Sequence, residues 1–119
     1  MKNREVKRIL ESDILLEGER VGKLVSSSSD SIAQELIAKY KIALDSIGWD
    51  STPSDSTFSS ILGVYQYANE EGLDMPEGIQ TTTKKEFFYC MPLQQNDSTQ
   101  GVIIMTIPRK DLILNYEVE

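Results

Sequence analysis

Histidine is absent from this chain of 119 residues. Its absence removes the commonest general base at neutral pH and the usual metal ligand. A single cysteine, Cys90, excludes an internal disulfide, a zinc cluster and a Cys-x-x-Cys redox pair. Flanked by Phe88, Tyr89 and Met91, that thiol is expected to be buried and inert. No apolar run approaches the roughly 18 residues of a membrane span. No continuous apolar segment follows Lys2, Arg4, Glu5, Lys7 and Arg8, so no signal peptide is expected. A Gly-rich phosphate loop is missing too, since Gly18 and Gly22 are not spaced to cradle a pyrophosphate. Asp50, Asp55, Asp74 and Glu77 stand in or beside loops without the residue order of a calcium loop. Only a carboxylate pair stays open, because its chemistry depends on separation in space. The expectation is a protein without catalytic activity, cofactor or metal, located in the cytoplasm of a bacterial or host cell.

What the chain does have is acid, unevenly spread. The formal net charge is −7, from 12 basic and 19 acidic side chains. Residues 1–25 carry a net of +1 and residues 81–119 a net of −1. Residues 26–80 hold only Lys39 and Lys41 against nine acids. A field of that sign repels nucleic-acid phosphates and favours a basic protein partner. The plainer reading is a solvated face that keeps the chain soluble.

The length and the ordinary apolar fraction, 39%, suit a single domain spanning residues 1–119. The clearest segment runs from Ser29 to Gly48. There Ile32, Leu36, Tyr40, Ala43, Leu44 and Ile47 recur at helical steps, widened by Ala33 and Ile37. Ser31 with Gln34 has the spacing of a capping box, and Gly48 can end the helix. A second helix follows Pro53 and carries Phe58, Ile61, Leu62, Tyr65 and Ala68 on one face, ending at Gly72 and Leu73. Residues 1–12 suit a helix or a strand equally. Ile14 to Val25 contains two apolar runs about Gly18 and reads as a hairpin. The last third reads as three strands: 86–91, the doubly apolar 102–107, and an alternating segment from Leu112 to Val118. The polar stretch 94–101 joins the first two of these strands. The expected fold is α+β, a mainly antiparallel sheet covered on one face by the two central helices. Expected core residues are Ile32, Leu36, Leu44, Phe58, Leu62, Tyr65, Val102, Ile104 and Leu114.

Three features could carry binding. Trp49 with Asp50 could anchor an interface, or simply close the end of the core. Glu70, Glu71, Asp74 and Glu77 gather at the end of the second helix and in the loop after it, either as an interface or as a solvated turn. Lys84, Lys85, Arg109 and Lys110 could make a small basic spot, or act as ordinary strand-edge charges. The favoured expectation is an acidic inhibitor of a basic protein partner. An immunity protein or a phage anti-defence factor acting on a nuclease or nucleic-acid-binding complex would be of this kind, with no direct contact to nucleic acid or membrane. One alternative is a homo-oligomer that sequesters a small anionic nucleotide between Phe87, Arg109 and Lys110. Another is an assembly subunit whose exposed strand pairs with a neighbour.

Overall fold

The computed structural model describes residues 11–115, so residues 1–10 of the ambiguous segment 1–12 and the last four residues lie outside it. The first element is a helix, α1 (Glu11–Ser27), where a hairpin was expected. Ile14, Gly18, Val21, Gly22 and Val25 form its buried stripe at steps of three and four. Gly22 is there for close packing and not for a turn. A Cβ on it would stand 2.3 Å from the ring of Tyr89.

Helix α2 (Asp30–Tyr40) starts after Ser29, whose side chain makes no cap bond; Ser31 lies inside the helix and caps nothing, so the Ser31/Gln34 capping box is not formed. It ends at Lys41, in left-handed conformation with φ 55, whose N–H bonds the carbonyl of Ile37. Gly48 therefore closes no helix. Residues 43–48 are instead strand β1 (Ala43–Gly48). This removes Ala43, Leu44 and Ile47 from the helical stripe.

Helix α3 (Ser56–Glu71) follows Pro53 and ends at Gly72, as expected. Asp55 caps it by accepting from the N–H groups of Thr57 and Phe58. Gly72 takes φ 68, and the N–H of Leu73 returns to the carbonyl of Ala68. Strand β2 (Gly78–Thr82) follows, then the hairpin of β3 (Glu86–Gln95) and β4 (Ser98–Pro108). Asn96 and Asp97 turn that hairpin with φ 52 and 65, the two left-handed positions of a tight type I′ turn. Arg109–Asn115 is helix α4, which replaces the expected last strand over residues 112–115.

The four strands form one antiparallel sheet in the order β1-β4-β3-β2. The α+β class and the helix-covered antiparallel sheet stand as expected, and the helices divide between both faces. Alternate residues of β3 and β4 serve two cores. Phe87, Tyr89, Met105 and Ile107 pack under α1, α2 and α4 with Tyr40 and Leu112. Phe88, Cys90, Val102 and Ile104 pack under α3 with Ile61, Leu62 and Tyr65. Leu62, Tyr65, Val102 and Ile104 are buried as expected, while Leu36 and Phe58 are only partly so. Ile32 and Leu44 are each 50% exposed and Leu114 is 77% exposed, because they sit on a helix back, on an edge strand and on the outer side of α4.

Candidate interaction surface

Trp49 leaves the end of β1 and is half-buried against the α3 core. Its indole N–H donates to the carbonyl of Thr99 at 3.0 Å, and its own carbonyl accepts from the Gln66 side-chain amide at 3.2 Å. These bonds hold Trp49 as a closure of the core, with Asp50 exposed beside it. Glu70 and Glu71 lie exposed in the last turn of α3, one helical turn or so beyond Gln66. Asp74 and Glu77 are exposed in the loop that follows. That loop is pinned by the Tyr65 hydroxyl, which donates to the carbonyl of Pro76. Burial pushes the Tyr65 phenol well above its ordinary pKa, so it stays a donor. Trp49, Asp50 and the acidic helix end thus share the α3 side of the sheet.

The wider charge pattern follows the same division. Between Ile42 and Thr83 the chain contains no Lys or Arg and seven acids. That stretch supplies β1, α3, β2 and their loops. The described cations lie on α1, α2 and α4, at Lys41, or in the turn between β2 and β3.

Sequence reasoning missed the edge strand β1. On its outer side no described strand pairs with it. The N–H of Trp49 bonds the carbonyl of Gln100 in β4, and every second residue of an antiparallel strand faces the same way. Ile47 and Asp45 therefore direct their backbone at β4, and Leu44 and Ser46 direct theirs outward. A depression flanks the edge on each face. One, of about 520 Å³, is lined by Asp45, Asp50 and Asp55 with Pro53 and Phe58. The other, of about 350 Å³, is lined by Leu44, Ile37, Met91, Ile103 and Met105 and also by Asp30, Gln34 and three serines.

The basic spot exists as a surface feature. Lys84, Lys85, Arg109 and Lys110 line a depression of about 590 Å³ together with Glu86, Pro108 and Ile113. Arg109 is already engaged, with two bonds of 2.8 and 2.6 Å to the Glu11 carboxylate. Those bonds hold the Glu11 carboxyl below its usual range. The same guanidinium lies 4.8 Å over the ring of Phe87, which is fully buried. Phe87 therefore presents no face for a ligand to stack on.

Among the described residues no three acidic, cysteine or histidine side chains are grouped to hold a metal ion. No described helix is long and apolar enough to cross a membrane. Neither a family model nor a curated protein nor a solved structure matches the chain.

Proposed function

We propose that this protein is a non-enzymatic acidic binding protein that inhibits a basic protein partner, occupying a surface on which that partner meets nucleic-acid phosphates. A nuclease or a nucleic-acid-binding complex fits this description, with the acidic protein acting as its immunity or anti-defence factor. The observation that carries the reading is the cation-free stretch from Ile42 to Thr83, which builds α3, both sheet edges and their loops. Acids unopposed over such an area attract a basic surface and speed its approach. Glu70, Glu71, Asp74 and Glu77 are fitted to this role because they are exposed and support no core contact. Acids at a helix C-terminus are disfavoured by the helix dipole, so local stability does not account for Glu70 and Glu71.

The test is to purify the native complex and titrate the isolated partner with the protein. Reversal of all four acids to lysine should weaken binding and reduce its salt dependence, leaving the fold intact. Unchanged binding by the reversed protein, with no response to salt, would overturn the reading. A second reading, an anionic small-molecule binder, is favoured by the convergence of Lys84, Lys85 and Lys110 on one depression. Reversing those three lysines separates the two readings, since it should leave the basic partner bound and abolish binding of a nucleotide.

A further inference from the structure

We propose that the outer edge of β1 is a strand-docking site, and that its occupant is an extended segment of a basic partner protein with alternating apolar and cationic side chains. This rests on the acidic-binder reading and gives it an address.

The two edges of the sheet are built differently. At β2 the register slips between Ile79 and Thr81, and α1 packs along the strand. Bulges and covering helices are devices that block unwanted strand pairing. At β1 the pairing with β4 runs unbroken from Ala43 to Gly48. The strand contains no proline and no lysine, and among the described residues nothing bonds its outward backbone groups at Leu44 and Ser46. A regular edge of this kind accepts another strand through main-chain bonds.

The side chains on either hand set which strand fits. A docked strand points successive residues to opposite faces. On the α1/α2 face they would meet a depression whose larger part is apolar, with Leu44, Ile37, Met91, Ile103 and Met105, and which Asp30, Gln34 and three serines also line. On the α3 face they would meet Asp45, Asp50 and Asp55. Apolar residues suit the first and lysine or arginine the second. A second copy of the chain fits poorly. Its own β1, paired antiparallel with this one about Asp45, would set the two Asp45 side chains opposite each other on one face, while each Lys41, two residues before the strand, would lie at the far ends of the pair. Charge therefore selects a basic strand over self-association.

The experiment uses a fluorescent peptide of alternating valine and lysine, and reads its affinity for the intact protein by anisotropy. Three comparisons accompany it: the same peptide with N-methylated backbone amides, a valine–threonine peptide, and the Ser46→Pro protein. Proline at Ser46 removes an outward N–H and leaves the bonds of Asp45 and Ile47 to β4 in place. The valine–lysine peptide should bind the native protein, and all three changes should weaken it by about tenfold or more. The N-methylated peptide keeps this result independent of whether the proline variant folds. Equal binding of the N-methylated peptide would overturn strand docking and leave the acidic-binder reading standing. Equal binding of the valine–threonine peptide would overturn the basic occupant, and the acidic-binder reading with it. Failure of the native protein to bind the valine–lysine peptide would overturn the proposal. A native dimer that Ser46→Pro converts to monomer would overturn it in favour of a second copy.

Discussion

The two faces of the sheet are closed by different means. On one face three helices share the work, and α1 comes so close that Gly22 lies against the ring of Tyr89. On the other face α3 is the one described helix that covers the sheet, through side chains such as Ile61, Leu62 and Tyr65, with Phe58 edge-on to Phe88 at 6.1 Å. The charges divide along the same line. The three-helix face mixes both signs, with ion pairs such as Glu17–Arg20 and Glu11–Arg109. The α3 side is built from a stretch that carries only acids. One face is closed by backbone approach and paired charge. The other is closed by side-chain bulk, and its acids make no ion pair among the described residues, which suits a surface that meets a partner.

The largest effect expected from this comparison is at Cys90, which points into the α3 core. Burial pushes its thiol from an ordinary 9.0 up to about 12, so the reactive thiolate should be about a thousandfold scarcer than in the unfolded chain. Native labelling near pH 8 should proceed no faster than unfolding, and rapid labelling would place Cys90 outside that core. Because the neutral thiol is the favoured form, its contribution to stability is complete below about pH 9.0 and is lost as pH rises towards about 12.

Next in size, Leu62→Ala should cost about 2–5 kcal/mol in urea unfolding. Leu36→Ala, on the half-buried flank of α2, should cost nearer 1 kcal/mol. Equal costs would mean that α2 is docked as deeply as α3.

The glycines sharpen the contrast further. Gly22→Ala should destabilise by about 1–3 kcal/mol, because the buried ring of Tyr89 has no room for the added methyl. Gly63→Ala in α3 meets nothing within 4 Å and should stabilise by about 0.5–1 kcal/mol through helix propensity alone. If both changes were stabilising, the close approach of α1 to the sheet would be wrong.

The parts of the fold that sequence reasoning could reach are those with local chemistry at their ends. Helix α3 was legible because Asp55, Gly72 and Leu73 each make the bond their type suggests. The β3–β4 hairpin was legible from its polar turn between apolar runs. Helix α1 was hidden because Gly18 and Gly22 look like turn residues, and it takes the ring of Tyr89, far along the chain, to explain Gly22. Strand β1 was hidden because Ala43, Leu44 and Ile47 continue the helical spacing of α2, and the break lies at a lysine in a left-handed conformation. Leu112 is buried as half of a strand or as part of a helix would be, so the pattern did not separate the two. The acidic residues around Glu70 were visible from composition. The acidic β1 edge was not, because Asp45, Asp50 and Asp55 come together only once β1 is a strand.

The most direct measurement of the central claim is an amide NMR titration of the isotopically labelled protein with the valine–lysine peptide. The account predicts shifts centred on residues 44–55, with the amides of Leu44 and Ser46 gaining protection from exchange, and no change around Lys84, Lys85, Arg109 and Lys110. Shifts confined to the three-helix face, with Leu44 and Ser46 unprotected, would contradict it.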